Sequence, residues 1–233
     1  MASRHITIPA FAGTRDGVRH FFGTRHEAGR PDLAARVLVS VTQVHGTDAL
    51  VLDRPVGEGE QFGGTWDALV TDQAEVLLTV KTADCVPVLV HDPQRGVVAA
   101  IHSGWRGSVA GILPRTLAVM RERFGSAPRS LRIGIGPSAG PCCYEVDEPV
   151  LEKLRSGFSD WPLVARETGQ GVWLLDLRDL LRRQAQTWGV EAHAIRSANV
   201  CTICHPSLFH SYRRDGTARG TMVSGIMLTR SRK

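Results

Sequence analysis

Short apolar runs dominate the first half of the chain. Residues 36–41 (RVLVSV), 49–52, 68–71, 76–80 (VLLTV), 86–90 and 97–101 (VVAAI) are bounded by turn residues. Uninterrupted apolar runs of strand length are how buried strands read, so each predicts a strand. Pro87 cannot donate to a ladder and predicts a strand start or an edge. Helical spacing comes later. One helix is predicted over 108–124, kinked at Pro114 or beginning near Leu113. A second runs from Asp147 to about Arg155, with Asp147 as N-cap and Pro149 in its first turn. A third follows Asp176 through Trp188, where Leu177, Leu180, Leu181 and Trp188 recur on one face and Gly189 closes it. Residues 222–228 predict a final strand. Strands mixed with helices in this way predict an α/β or α+β fold with helices covering sheet faces.

Length and composition narrow the class. At 233 residues the chain suffices for one domain with a real core, and 42% hydrophobic with 22% charged residues is ordinary for a globular protein. No repeat or linker divides it, so 1–233 reads as a single domain. The glycine-rich, acidic stretch 56–65 reads as a surface loop. The formal charge is +5, and only Lys81, Lys153 and Lys233 are lysines, so the positive charge is nearly all arginine. Arginine forks favour oxyanions such as phosphate. The basic residues are scattered, with one short terminal cluster at Arg230, Arg232 and Lys233, so no nucleic-acid partner is expected. Residues 1–12 lack a secretory pattern and no apolar run is long enough to span a bilayer. The expectation is a cytoplasmic monomer whose five cysteines are free thiols or metal ligands.

Three segments carry candidate chemistry: Thr42-Gln43-Val44-His45-Gly46-Thr47, Lys81-Thr82-Ala83-Asp84-Cys85 and His102-Ser103-Gly104-Trp105-Arg106-Gly107. Ends of adjacent strands lie about 5 Å apart, so one ligand from each can converge. Two imidazoles and a thiolate suit zinc, and three protein ligands leave a fourth position open, as in catalytic sites. Spacing alone is a weak signal, because no pair forms a CxxC or HxxxH signature. Gly104 and Gly107 allow close backbone approach to a ligand, and a helix starting near Ser108 would aim its first amides at the same region. Arg106 and the amides near Gly107 are the candidate phosphate cradle, Arg213 is a second candidate, and Asp84 is the nearest candidate for proton transfer.

The stretches TQVHGT (42–47), WDALVTD (66–72), TADCVPVLVHD (82–92), AAIHSGWRG (99–107), IGIGPSAGPCCYEVDEPV (133–150) and HSYRRDGTARGTMVSGIML (210–228) run through most of the chain. Together they resemble the laccase-domain, multicopper polyphenol oxidase-like family of purine nucleoside phosphorylases. The resemblance implies mixed β-sheets sandwiched between helices, an α/β/β/α-like arrangement. It implies that His45, Cys85 and His102 bind the catalytic metal, zinc, with copper as the other candidate. It implies phosphorolysis of adenosine, inosine and methylthioadenosine, with purine nucleosides and inorganic phosphate as partners, and deamination of adenosine. Copper-dependent phenol oxidation has also been attributed to such proteins. This chain departs from the pattern in two places. Ser103 stands where the family has alanine. After Gly23-Thr24-Arg25 comes only a short segment, 30–36, where the family has a long stretch and a helix, which bears on substrate preference.

Two competing readings use the same residues. One is a metal-free cysteine hydrolase with Cys85 as nucleophile and His102 as its base. The other, ranked last, is a basic nucleic-acid-binding module with a structural zinc. Elsewhere, Cys201-x-x-Cys204-His205 matches a haem-attachment pattern that requires export, and it allows a structural zinc on those three residues. Cys142 and Cys143 read as core or redox-inert thiols, and His91 and His193 as structural.

Overall fold

The structure is a computed structural model that describes residues 5–8, 17–26, 33, 35–169, 171–218 and 220–230. The N-terminal stretch to residue 12, the segment from residue 30, Arg232 and Lys233 fall wholly or largely outside these residues. In chain order the first strands are β1 (His5–Ile6), β2 (Val18–Gly23), β3 (Val37–Val39), β4 (Ala49–Leu52), β5 (Ala68–Thr71), β6 (Val76–Thr82), β7 (Val86–Asp92) and β8 (Val97–Ser103). Helices α1 (Trp105–Val109) and α2 (Ile112–Phe124) follow, then β9 (Arg132–Ile135), β10 (Glu145–Val146) and α3 (Glu148–Gly157). Next come β11 (Ala165–Gly169), β12 (Val172–Leu175), α4 (Leu177–Thr187), β13 (Ile195–Ser197), α5 (Tyr212–Asp215) and β14 (Met222–Leu228).

The strands form a five-stranded sheet, β1-β2-β14-β6-β3, a six-stranded sheet, β13-β9-β7-β8-β5-β4, and a small three-stranded sheet, β10-β12-β11. Both large sheets mix parallel and antiparallel pairs. The period-two alternation of side chains decides how they stack. Val86, Val88 and Val90 of β7, with Val97, Ala99 and Ile101 of β8, face a core shared with Leu113, Leu117, Leu151, Leu154, Leu180 and Leu181 of the helices. The intervening Leu89, Val98 and Ala100, with Leu69, face Phe22, Leu78, Val80 and Ile226 of the five-stranded sheet. Strands β5, β7 and β8 of the six-stranded sheet are therefore buried on both faces, which is why they read as unbroken apolar runs rather than alternating ones. Beyond the five-stranded sheet, Phe21, Leu77 and Met227 pack with Leu33, Ala35 and Val223. Among the described residues no helix is long and apolar enough to cross a membrane.

Of the two readings of residues 108–124, a helix beginning near Leu113 is the one observed: α2 starts at Ile112, after the separate short helix α1 from Trp105 and a break at Gly111, whose φ of 83° is left-handed. Pro114 thus sits in the first turn of α2, where its missing N–H costs nothing. Pro87 does mark a strand start, but not an edge: β7 lies between β8 and β9. Asp176 caps α4, accepting from the Arg178 and Asp179 N–H groups at 3.0 and 3.1 Å, whereas the side chain of Asp147, the predicted N-cap of α3, makes no capping bond.

His20 on β2 gives the fold a pH dependence. Its Nε2 accepts from the Ile8 N–H at 2.9 Å, which requires a neutral ring. Burial, reinforced by the nearby His5, pushes its pKa down to about 4. The unfolded chain, with an ordinary histidine near 6.5, binds the proton more readily. The stability from neutral His20 is therefore fully present above about pH 6.5 and is lost as pH falls towards 4, by roughly 3 kcal/mol at most. Urea unfolding from pH 7 to 4 is expected to show this loss. A His20→Gln variant, which carries no titrating ring, should show a shallower slope over the same window; an unchanged slope would assign it to other groups.

Candidate metal centre

His45, Cys85 and His102 come together, with one ligand atom from each within 4.8 Å of the others. Three different local structures deliver them. His102 lies near the end of β8. Cys85 immediately precedes β7, in the turn from β6. His45 sits in the loop between β3 and β4 rather than at a strand end. The imidazole rings of His45 and His102 meet edge-on with centroids 4.8 Å apart, and Cys85 Sγ lies 3.9 Å from His45 Nδ1. His102 is buried, Cys85 half-buried and His45 exposed, so one side of the cluster opens to solvent.

Asp67 holds this geometry, and the sequence reading gave it no role. The segment WDALVTD was visible, but nothing in it marks which carboxylate turns inward. Asp67 is 1% exposed. Its carboxylate accepts from the N–H groups of Val44, His45 and Gly46 at 3.2, 3.0 and 2.6 Å. It also meets His102 Nδ1 at 2.7 Å. Burial pushes its pKa up, but the hydrogen bond from His102 and the backbone amides outweigh that and hold it below the ordinary value. An ionised carboxylate can only accept, so His102 Nδ1 carries the proton and its Nε2 lone pair faces the cluster. A carboxylate behind a histidine that fixes its tautomer and orientation is the usual support of a metal ligand.

The backbone at the site is strained in a directed way. His45 has φ 60° and Asp84 φ 83°, a left-handed region uncommon for residues with a side chain. Three amides bound to one carboxylate oblige the His45 turn. Asp84 is held by its own set: Oδ1 accepts from Thr202 Oγ1 at 2.6 Å, and Oδ2 from Ser211 Oγ at 2.9 Å and the Arg213 N–H at 2.7 Å. Asp84 thereby ties the Cys85 turn to the C-terminal segment.

The donor set fits a metal ion. Burial, then the His102 ring and the Arg106 charge, lower the pKa of His45 against the opposing pull of Asp67, keeping its ring neutral and its lone pair available. Space has been left at Gly104. A Cβ there would lie 2.6 Å from His45 Nδ1 and 3.0 Å from Cys85 Sγ. Gly107 packs under the His45 loop, where a Cβ would come within 2.9 Å of the Gly46 carbonyl. Ser103, the departure from alanine, is buried and satisfied by Ser108 Oγ at 2.8 Å. For the thiol-hydrolase reading, His45 Nδ1 lies 3.9 Å from Cys85 Sγ, and His102, whose Nδ1 faces Asp67, also offers a nitrogen within 4.8 Å of that sulfur.

A cavity of about 410 Å³ opens beside the cluster, lined by His45, Asp84, Cys85, Arg106, Tyr144 and Arg213 among others. That volume lies in the roughly 300–1,000 Å³ range of small-molecule sites. Arg106 stacks over Trp105 at 4.5 Å and Arg213 over Tyr144 at 5.2 Å, so aromatic rings orient both cations. Arg213 Nη1 also donates to the Glu145 carbonyl at 2.7 Å. Tyr144 lost its signal in the sequence because it reads as an ordinary aromatic. Burial, then Cys85, pushes its pKa up to about 12, so it remains a hydroxyl that can donate.

Paired mixed sheets, with a two-histidine, one-cysteine cluster beside a basic cavity, define a mixed α/β protein with a candidate open metal site. Residues 24–229 match the family model described as multi-copper polyphenol oxidoreductase laccase, and the chain belongs to that family. It is 39% identical over 194 residues to the purine nucleoside phosphorylase YlmD of Geobacillus stearothermophilus, covering 81% of this chain and 71% of that protein. It is 40% identical over 163 residues to a purine nucleoside phosphorylase of Bacteroides thetaiotaomicron, covering 70% and 60%. The crystal structure of Geobacillus stearothermophilus YlmD superposes with a TM-score of 0.82 at 29% identity, over 99% of this chain and 98% of that one. Bacillus licheniformis YfiH does so at 0.81 and 28% identity, covering 93% and 94%.

Proposed function

We propose that this protein is a zinc-dependent purine nucleoside phosphorylase acting on adenosine, inosine and methylthioadenosine, with adenosine deamination as a second activity. The observation that carries the reading is the His45–Cys85–His102 cluster opening onto a cavity flanked by two arginines. The names of the relatives supply the reaction class.

In phosphorolysis a phosphate oxygen forms a bond to the anomeric carbon while the bond from that carbon to the purine nitrogen breaks. The electron pair leaves with the base, which takes up a proton. The nucleophile is an anion and the sugar becomes oxocarbenium-like, so the site must hold phosphate close and exclude competing water. Arg106 and Arg213 are the cations on the cavity wall and are assigned to phosphate. Tyr144, held as a hydroxyl, orients a sugar or base oxygen. Asp84 fixes the Cys85 turn and the Arg213 backbone, because its oxygens already accept three hydrogen bonds. His45 Nδ1, Cys85 Sγ and His102 Nε2 would hold zinc, which when bound supplies a Lewis acid facing the cavity.

The test is release of base from inosine with and without inorganic phosphate, in wild type and Arg106→Ala. Base release should depend on phosphate and yield ribose 1-phosphate. Arg106→Ala should raise the KM for phosphate by about tenfold or more, the worth of one charge-assisted hydrogen bond. An unaltered KM would remove Arg106 from the phosphate site. Release independent of phosphate would overturn phosphorolysis itself.

A further inference from the structure

The four cysteines outside the cluster just described converge. Cys142 and Cys143 lie in the turn between β9 and β10, and Cys201 and Cys204 follow β13, about sixty residues later in the chain. Their sulfurs all lie within 4.8 Å of one another. Cys204 Sγ is 3.3 Å from Cys142 Sγ and 3.1 Å from Cys143 Sγ. This overturns the reading of Cys142 and Cys143 as core thiols, since Cys142 is exposed and Cys143 half-buried. It also replaces the three-residue set ending in His205. The His205 ring bonds the Cys201 carbonyl at 2.9 Å, and the remaining ligand positions fall to Cys142 and Cys143.

We infer that Cys142, Cys143, Cys201 and Cys204 form a second metal site, a closed tetrahedral zinc centre of structural type. Zinc–sulfur bonds of about 2.3 Å place tetrahedral sulfurs roughly 3.8 Å apart, and four thiolates leave no open position. The sulfurs, with two pairs at 3.3 and 3.1 Å and all within 4.8 Å of one another, bracket that spacing. The surroundings suit a thiolate centre: Cys201 Sγ accepts from the Gly140 N–H at 3.3 Å. A shared dication favours the thiolate at all four.

The site has a structural task. It pins the 140–144 turn to the 201–204 turn, reinforcing the bridge between Ser138 and Cys201 and the bond from the Thr202 N–H to the Ser138 carbonyl at 3.0 Å. The residue after Cys143 is Tyr144, which lines the cavity, and the residue after Cys201 is Thr202, which holds Asp84. The zinc centre therefore braces one wall of the cavity without touching its contents.

The experiment is zinc quantification by mass spectrometry on the full chain, purified under reducing conditions, equilibrated with Zn2+ alone and desalted. Wild type should retain two zinc ions, Cys85→Ala/His102→Ala one, and Cys142→Ser/Cys204→Ser one. Cobalt(II) loaded into Cys85→Ala/His102→Ala should give thiolate-to-cobalt charge-transfer bands in the near ultraviolet. If Cys142→Ser/Cys204→Ser does not fold, Cys142→Ser alone carries the test, with zinc release to a chelator faster by tenfold or more. A folded Cys85→Ala/His102→Ala chain that retains no zinc overturns the proposal. So does a disulfide from Cys204 to Cys142 or Cys143 under these conditions. Wild type with a single zinc that Cys142→Ser/Cys204→Ser loses would support this centre while counting against the one at His45.

Discussion

Replacing Cys85 by alanine is expected to remove the metal bound at His45 and His102 and to lower kcat/KM for phosphorolysis of inosine by about a thousandfold or more. The cluster offers three ligand atoms within 4.8 Å of one another. Losing the thiolate leaves two neutral imidazoles, a poor site for a dication. The Lewis acid contributes several kcal/mol to the transition state, and each 1.4 kcal/mol is a factor of about ten. The fold should tolerate the change, since Cys85 is half-buried at the cavity wall and alanine leaves no enclosed void. Circular dichroism should match wild type while zinc content and activity fall together. Full activity in a metal-depleted wild type, together with loss in Cys85→Ala, would favour a thiol nucleophile instead.

The second large effect belongs to Asp67, which touches no substrate. In Asp67→Asn, the residue loses its charge and one oxygen acceptor. Four donors converge on that carboxylate: the amides of Val44, His45 and Gly46 and the ring of His102. The substituted side chain cannot satisfy all four, and its amide hydrogens face donors. His102 then loses the partner that fixes its tautomer, and the left-handed turn at His45 loses its restraint. Metal affinity is expected to fall 10–100-fold, the usual cost of losing a carboxylate behind a ligating histidine. Stability should fall as well, by about 3 kcal/mol, because the buried His102 donor and the part-buried loop amides lose a shared charged acceptor. Competition with a zinc chelator measures the first effect and urea unfolding of the metal-free chain the second. A loss of stability with unchanged metal affinity would limit Asp67 to holding the loop.

The core strands and the three motif turns differ in how far they could be read along the chain. Strands β4 to β8 lay where the apolar runs placed them; β5, β7 and β8 are buried throughout, and a strand buried on both faces reads as an apolar run. The short strands β10 to β13 escaped, since β11 is mostly exposed and runs of three or four residues carry no period. His45, Cys85 and His102 stood out as a candidate set through the family resemblance rather than their spacing, and the class of the fold was legible in the apolar runs. Asp67 was not, because an inward-facing carboxylate is distinguished only by the four donors that surround it, and these come from two distant segments. The pairing of Cys142 and Cys143 with Cys201 and Cys204 was equally hidden: adjacent cysteines have no ligand spacing of their own, and the partners lie across β10 to β13. Local order thus follows from backbone and burial pattern, which neighbours in the chain decide. Convergence of charges and ligands depends on strand order and register, which only the packed sheets decide.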